Sequence, residues 1–138
     1  AGTARLRNVP TVNTVMEYDP NFVNFPEVLD QCYDFVVMNY VLNVLPPKER
    51  KRVLKQVHKC LKRSGKAYIT VRTIADKAIK GTPEFDGVRT SIGTFQHGYS
   101  VKEIEKLLRR WFKKVELIHG SEAARFIIIR ATGRKLWR

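Results

Sequence analysis

The feature that most constrains the fold is a strand, a helix and a second strand in close succession. The apolar run Phe35-Val36-Val37-Met38 predicts a strand buried on both faces, which is typical of a parallel sheet covered by helices. Pro46-Pro47 then opens a helix with one apolar stripe, which continues to Arg63 and ends at Ser64-Gly65. Residues 67–71 predict the next strand. Two strands joined by a helix form a right-handed βαβ unit, so the chain belongs to the α/β class.

The flanking segments extend this α/β pattern. Residues 11–18 are rich in β-branched side chains and predict a strand, and Pro26 suits the first turn of a short helix. Residues 73–99 are rich in glycine and predict a long loop, functional or mobile. Ser100 and Glu103 form a capping box that starts another helix, and residues 114–118 and 124–130 predict a terminal hairpin. At this length we predict a single domain over residues 1–138.

The charge of the chain predicts a class of partner. Lys and Arg number 26 against 13 Asp and Glu, a net charge of +13. Such a field attracts polyanions, nucleic acid first and an anionic membrane or an acidic partner second. A hydrophobic content of 43% excludes a disordered basic tail. Neither a membrane span nor a signal peptide is visible, so we predict no membrane association and a cytoplasmic location, the host cytoplasm if the protein is viral. Cys32 and Cys60 have no zinc-site spacing, and we predict no metal.

The central residues carry a family resemblance. The stretch Tyr33-Asp34-Phe35-Val36-Val37-Met38-Asn39-Tyr40-Val41-Leu42-Asn43-Val44-Leu45-Pro46 resembles the fourth strand and following loop of class I S-adenosylmethionine (SAM)-dependent methyltransferases, commonly written FDLVxxxxVLxHLP. Residues 53–69 are similar to the family's next helix, its L-K-P-G-G turn and its fifth strand. The resemblance implies SAM as cofactor and a Rossmann-like sheet, mostly parallel, with an antiparallel C-terminal hairpin. It is closest to the small members found in phages and beside bacterial DNA-modification systems.

The chain departs from the family pattern in two places. Ala1-Gly2 resembles the tail of the family's D-x-G-x-G-x loop, so the first strand and first glycine would precede residue 1 and the N-terminal part would be truncated. The alternative is that Ala1-Gly2 matches by accident. Only residues 21–33 separate the second strand from the fourth-strand motif. The third-strand region is therefore expected to be shortened or missing.

The resemblance also implies cofactor contacts. The Asp19 carboxylate would accept hydrogen bonds from the two ribose hydroxyls, with Glu17 as the substitute if the register slips. Gly2 would let the backbone approach the cofactor, Asn39 would meet its amino-acid part, and Tyr40 would lie where the cofactor meets the substrate. A capping role for Asp19 and Asn39, and simple packing for Tyr40, are the structural alternatives.

Methyl transfer from SAM needs few catalytic groups from the protein. SAM is an activated donor, so the enzyme mainly aligns the acceptor and excludes water. Tyr40, which can stack on a flipped base, and His97, a possible proton acceptor on a glycine-flanked loop, are the candidate catalytic residues. Gln96, His97 and Tyr99 are candidate substrate contacts, and Arg72 is placed to touch a phosphate. Plain solvation of a loop histidine is the alternative for His97.

Three functions are compatible with these residues. The leading prediction is a SAM-dependent methyltransferase acting on nucleic acid, DNA preferred over RNA, with residues 73–99 as a substrate lid. A second is a catalytically degenerate module of the same fold that binds nucleic acid or a partner without cofactor, which the missing first motif favours. A third is a small-molecule methyltransferase whose charge is incidental. A homodimer is compatible with all three.

Overall fold

The computed structural model describes residues 14–19, 24 and 26–135. The chain divides into two compact units, residues 1–32 and 33–138, and each is described by itself. In the first unit a 3₁₀ helix spans Pro26–Asp30 and begins at the proline predicted to open a short helix. The strand predicted over residues 11–18 is wrong for its described part, because residues 14–18 have no regular structure. A β-branched composition favours a strand only where a neighbouring strand takes up the backbone hydrogen bonds.

The second unit contains two helices and seven strands among its described residues. In chain order these are β1 (Tyr33–Asn39), a 3₁₀ turn (Leu42–Val44), α1 (Pro47–Cys60), β2 (Leu61–Arg72), β3 (Thr82–Glu84), β4 (Gly87–Arg89), β5 (Phe95–Gln96), α2 (Val101–Arg109), β6 (Phe112–His119) and β7 (Phe126–Arg134). The predicted strand, helix and strand between residues 33 and 72 are confirmed, and so is the terminal hairpin. No helix in the described part of the chain has the length and apolar character that a membrane span requires.

A four-stranded mixed sheet forms the centre of this unit. Its strand order is β1-β2-β7-β6. β1 pairs with β2 in parallel, while β7 pairs antiparallel with both β2 and β6. Three strands therefore point one way and β7 runs against them, which agrees with the predicted mixture of parallel strands and an antiparallel hairpin. The predicted loss of a first strand and shortening of a third concern residues that lie partly outside the described ranges.

Both helices contribute to one apolar core. α1 has Pro47 at its first turn, and α2 begins at Ser100, whose Oγ accepts a 3.1 Å hydrogen bond from the Glu103 N–H as the capping box predicted. Buried side chains of one sheet face join those of the helices, among them Met38, Ile69, Val71, Ile127, Ile129, Leu54, Ile104 and Leu108. Burying each such side chain stabilises the fold by about 1.5–3 kcal/mol.

Within the second unit, neither α1 nor α2 packs on the opposite sheet face, which we call the open face. In β1, Met38 is 6% exposed, whereas Phe35 and Val37 on the open face are 58% and 47% exposed. The prediction that this strand is buried on both faces is therefore wrong. A continuous apolar run does not reveal which of its two faces the helices cover.

The end of α1 also differs from the prediction. The helix stops at Cys60, and Leu61 is already extended, with φ −94° and ψ 132°. Leu61 is fully buried, and a Cβ on Gly65 would lie 2.6 Å from its Cδ1 and 3.0 Å from the Asp34 carbonyl oxygen. Gly65 therefore permits close packing inside β2 instead of ending a helix at Arg63.

The segment from 73 to 99 is more ordered than a plain loop. β3, β4 and β5 pair antiparallel into a small three-stranded sheet. A Cβ on Gly87 would lie 2.3 Å from the Gln96 carbonyl oxygen, so this glycine allows two strands to approach. The glycine-rich composition that predicted a loop here serves strand pairing instead.

Candidate functional site

β1 and β2 end side by side, and the residues after them form the candidate site. Asn39 closes β1 and is exposed. Tyr40 follows with a left-handed backbone (φ 59°), and its N–H donates a 2.9 Å hydrogen bond to the Thr70 carbonyl. This conformation costs a non-glycine residue about 1–3 kcal/mol. The turn fixes Tyr40, 43% exposed, at the carboxyl edge of the sheet, where open α/β sheets bind ligands.

A fully buried asparagine connects three segments at this edge. The Asn43 Nδ2 group donates to the carbonyl oxygens of Arg72 (3.0 Å) and His97 (2.7 Å). Its Oδ1 accepts from the Arg72 N–H at 2.8 Å, and its own carbonyl accepts from the His97 N–H at 2.7 Å. Every polar group of this side chain is therefore used. Asn43 holds the loop after β1, the end of β2 and the segment before α2 in one arrangement.

A buried arginine ties α1 to the small sheet. Arg50 is 6% exposed, and its two Nη atoms contact the Asp86 carboxylate at 2.5 and 2.8 Å. The Nε group donates to the Leu45 carbonyl at 2.9 Å, and the guanidinium lies 5.5 Å from the centre of the Tyr99 ring. The hydrogen bonds from Arg50 hold the pKa of the Asp86 carboxyl below its usual value. A bidentate arginine–carboxylate pair of this kind is charge-assisted and geometrically specific.

His97 continues the same charge cluster. Its Nδ1 lies 2.7 Å from the Asp86 carbonyl oxygen, and its Nε2 lies 2.7 Å from Glu103 Oε2. Because a carbonyl and a carboxylate both accept, both hydrogen bonds form together when the imidazole carries two protons. The side chain is buried, with 8% exposure of the residue. His97 would have to give up one of these bonds before it could accept a proton from a substrate.

The remaining predicted substrate residues differ in how exposed they are and in whether their polar atoms already have partners. Tyr99 is fully buried, its hydroxyl donates to the Leu42 carbonyl at 3.0 Å, and burial raises its pKa. Arg72 is half-buried and its Nε lies 3.5 Å from the Asp76 carboxylate. Gln96 is half-buried, and its Oε1 is buried without a hydrogen-bond partner among the described residues. Of these, Gln96 offers an unused polar atom.

An open pocket of about 400 Å³ lies beside the end of β2. Its polar lining consists of Thr73, Asp76, Asp86, Gln96, His97 and Glu103. No lysine or arginine side chain of the described residues lines it, although the chain carries a net charge of +13. Carboxylate and amide oxygens predominate, so the pocket suits a ligand that donates hydrogen bonds better than one that carries phosphate.

Three pocket residues also have the spacing of cation ligands. Potential ligand atoms of Asp86, His97 and Glu103 lie within 4.8 Å of one another. Both oxygens of Asp86 contact Arg50, and both nitrogens of His97 have acceptors. A cation would have to displace the guanidinium and break these bonds. The geometry therefore favours a cluster of mutually bonded side chains over a bound cation.

The cofactor residues predicted upstream belong to the first unit. Asp19 and Glu17 are half-buried. Gly2 lies outside the described residues, so its predicted role stays a prediction. Asn39 and Tyr40 belong to the second unit, where they are adjacent at the sheet edge.

Sequence reasoning missed the residues that hold the site together. Asn43 carries a signal, because it is a polar side chain inside the apolar run Val41-Leu42-Asn43-Val44-Leu45. A buried polar group needs partners, so its position predicts a structural hydrogen bond. Arg50 and Asp86 carry no comparable signal, since each lies in a polar segment and the partners are 36 residues apart.

Comparison with known proteins finds solved structures with a similar fold. No protein-family model and no curated protein matches the sequence. Three solved structures are similar: a protein from Nostoc punctiforme described as a candidate O-methyltransferase (TM-score 0.54, 19% identity, 76% of this chain), DhpI in complex with SAH (TM-score 0.54, 14% identity, 78% of this chain), and the N-terminal domain of EvdMO1 with SAH bound (TM-score 0.55, 14% identity, 85% of this chain).

The likeness covers most of this chain and a smaller share of the others. The chain spans 32% of the Nostoc protein's length and 52% of each of the other two. At identities of 14–19%, the likeness shows a shared fold. Arguments about the substrate must come from the residues of the site. Over most of its length, this chain has the α/β fold found in these three structures.

Proposed function

We propose that this chain is part of a SAM-dependent methyltransferase that acts on nucleic acid, with DNA preferred over RNA. The observation that carries the methyltransferase half is the fold, which matches two structures bound to SAH, the product that SAM leaves after methyl transfer. Polar residues at the carboxyl edge of β1 agree with it, because this is where open α/β sheets bind ligands. The preference for DNA rests on the resemblance to phage and DNA-modification methyltransferases.

The residues at the sheet edge and in the first unit have the chemistry that SAM requires. Asn39 offers an exposed amide donor and acceptor, which suits the ammonium and carboxylate of the amino-acid part. The Asp19 carboxylate suits the ribose diol, with Glu17 as the substitute. The backbone contact at Gly2 stays a prediction, since this residue lies outside the described ranges. SAM supplies a methyl group already activated on a sulfonium. The chain's own residues then bind, orient and shield the acceptor.

The pocket supports an acceptor that presents an amine. Asp76, Glu103 and the buried Oε1 of Gln96 are acceptors that match an exocyclic amino group. A flipped base brings such a group into a pocket while its phosphates stay outside. In this proposal Tyr40 contacts the base and His97, together with Tyr99, fixes the pocket wall. Arg72, whose Nε lies 3.5 Å from the carboxylate of the lining residue Asp76, is the proposed phosphate contact.

The nucleic-acid half is supported by a basic stripe on α1. At 100° per residue, five cationic side chains fall within one face of this helix, all of them exposed: Lys48, Lys51, Arg52, Lys55 and Lys59. One acidic residue, Glu49, pairs with Arg52 at 2.8 Å. A row of cations about 16 Å long suits a phosphate backbone and carries no sequence preference.

A small-molecule methyltransferase is the second candidate. The pocket volume of about 400 Å³ lies in the range of small-ligand sites. In that case an amine-bearing or hydroxyl-bearing acceptor occupies the pocket alone, and the basic stripe has no role in turnover. The third candidate is a degenerate module that binds no cofactor. Measurable binding of SAH would exclude it.

Asp19→Ala tests the cofactor site. We expect the full chain to bind SAH in calorimetry and the variant to bind about 10–150-fold more weakly, because a charged acceptor in two hydrogen bonds contributes about 1.5–3 kcal/mol. Asp34→Ala, which removes an exposed carboxylate paired with Lys62, is the control and should leave the SAH dissociation constant unchanged. No binding by the unmodified chain at millimolar SAH would overturn the methyltransferase proposal. An unchanged Asp19→Ala variant would move the ribose contact to Glu17.

Salt dependence tests the stripe on α1. If five cations each neutralise a phosphate, the logarithm of the duplex affinity should fall with the logarithm of the salt concentration with a slope of about −4.5. Lys51→Ala/Lys55→Ala should reduce this slope by about two. The control is Lys77→Ala/Lys80→Ala, which removes two exposed charges outside the stripe. Equal effects of the two pairs would mean that general charge, and not the stripe, binds the duplex.

A further inference from the structure

The imidazole of His97 is held in place in the wall of the pocket. Its backbone N–H donates to the Asn43 carbonyl, and its own carbonyl accepts from Asn43 Nδ2, each at 2.7 Å. The ring packs edge-on against Tyr99, with centroids 4.5 Å apart. A Cβ on the next residue, Gly98, would lie 2.8 Å from the Thr73 carbonyl oxygen, so the backbone is closely packed on that side as well. The ring is therefore fixed between its two acceptors.

The two acceptors differ in how freely they can move. The ring's Nδ1 faces the Asp86 carbonyl oxygen, a backbone atom in the turn between Glu84 and Gly87, which pair in the β3–β4 ladder. Arg50 also holds the Asp86 side chain through two hydrogen bonds. The ring's Nε2 faces Oε2 of Glu103, an atom at the end of a flexible side chain that lines the pocket. Of the two acceptors, Glu103 is the one that can turn away by side-chain rotation alone.

The charges that face the ring come from three segments. Asp86 lies on the β3–β4 turn and is paired with Arg50 on α1, and Glu103 lies on α2. Tyr99, on the ring's own segment, is an uncharged hydroxyl bonded to a backbone carbonyl, and the lining residue Asp76 is paired with an arginine at 3.5 Å. While the ring is protonated, two cations balance two carboxylates in this cluster. Once the ring is neutral, one carboxylate is in excess, and it is Glu103.

We infer that the proton on His97 Nε2 controls whether the Glu103 carboxylate is available in the pocket. With this proton, Nε2 donates to Glu103 and the carboxylate is occupied. Without it, a nitrogen lone pair faces a carboxylate oxygen at 2.7 Å, and two acceptors at this distance repel each other. The Asp86 carbonyl keeps the remaining proton on Nδ1. Glu103 therefore rotates away from the ring and becomes an acceptor for another hydrogen-bond donor.

This change would regulate the proposed acceptor site. A released Glu103 suits a ligand that presents an amine, because the carboxylate accepts its hydrogen bonds. Conversely, an amine that binds Glu103 favours the ring without its Nε2 proton, because coupling between two binding events is reciprocal. The use of the change in turnover rests on the proposed function. The rearrangement of the two side chains does not, because every contact that it involves lies among residues 43–103.

Nuclear magnetic resonance of the full chain tests the inference without any ligand. Where the His97 ring loses a proton with rising pH, nitrogen-15 shifts should show a bare Nε2 and a protonated Nδ1. The side-chain rotamer of Glu103, from three-bond couplings, should change at the same pH. The rotamer of Glu105, which pairs with Arg109 at 3.2 Å on the same helix, should not. A neutral ring protonated on Nε2, or a Glu103 rotamer that does not follow the ring, would overturn the inference.

Two variants assign the change to His97. His97→Gln does not titrate, so the Glu103 rotamer should stay constant over the same pH range. His119→Gln removes a histidine that closes β6 and does not line the pocket, and the rotamer change should persist. The opposite result for either variant would contradict the inference. If His97→Gln does not fold, the protonated nitrogen of the unmodified ring decides.

The outcome is separable from that of the SAH experiment, because these samples contain neither SAH nor nucleic acid. A chain that shows the rotamer change but binds no SAH keeps this inference and rejects the methyltransferase. SAH binding by a chain whose Glu103 does not follow the ring does the reverse.

Discussion

Asn43→Ala should lower the free energy of unfolding by about 3–5 kcal/mol. The substitution removes a fully buried side chain that makes three hydrogen bonds, two to the Arg72 backbone and one to the His97 carbonyl. Each buried backbone group left unsatisfied costs about 1–3 kcal/mol. Urea denaturation followed by circular dichroism measures the loss.

Two variants show whether the hydrogen bonds are responsible. Asn43→Asp keeps the acceptor but loses both donated bonds and buries a charge, so it should destabilise the chain at least as much as alanine. Asn39→Ala changes the same residue type at an exposed position of the same sheet edge and should shift stability by about 0.5 kcal/mol or less. A loss below about 1 kcal/mol for Asn43→Ala would mean that water or local rearrangement replaces the lost bonds.

Arg50→Ala should destabilise the chain by about 2–3 kcal/mol and loosen the small sheet. Breaking a fully buried ion pair costs about 3–5 kcal/mol, and the cost here is smaller because the Asp86 side chain is 37% exposed. Arg50→Lys should recover little, since an ammonium cannot contact both carboxylate oxygens in the guanidinium geometry. Arg52→Ala breaks an exposed pair on the same helix and should cost about 0.5 kcal/mol or less.

The pair should also make stability depend on pH. The pKa of Asp86 is lower in the folded chain than in the unfolded chain, where it is about 3.9. Its contribution is therefore fully present above about pH 4 and is lost as the pH falls through the lowered folded value. Comparing the unfolding of the unmodified chain with that of Asp86→Asn at pH 7 and pH 3 should show the difference shrinking at the lower pH. A constant difference would mean that the carboxylate charge does not stabilise the fold.

The sequence predicts elements whose signals are local. The cap at Ser100 and Glu103 involves residues three positions apart, and it appears as expected. The helix beginning at Pro47 follows from its own apolar stripe and first-turn proline. Gly65 is an example of a local signal that misleads. The glycine is typical of a helix end, but the helix already ends at Cys60, and the buried Leu61 is the first residue of β2. Packing between distant residues decides such boundaries.

The candidate site was predictable only in part for the same reason. Asn39 and Tyr40 lie where a strand is expected to end, and the structure puts them there. The hydrogen bonds of Asn43 join residues 29 and 54 positions apart, and no local pattern encodes those partners. The sequence predicts His97 as a proton acceptor on a loop, whereas in the structure Asp86 and Glu103 contact its two ring nitrogens. A sequence shows which side chains can react but not which are already bonded.

The position of β7 has a consequence for the order in which the chain can fold during its synthesis. Of the described strands, β7 leaves the ribosome after all the others, yet it lies between β2 and β6 and pairs with both. Until residues 126–134 emerge, the backbone edge of β2 opposite β1 has no neighbouring strand, and an unpaired strand edge beside the apolar side chains of Ile69 and Val71 is prone to association with other chains. Translation that pauses or stops shortly before Phe126 should therefore yield an aggregation-prone nascent chain and not a smaller folded one.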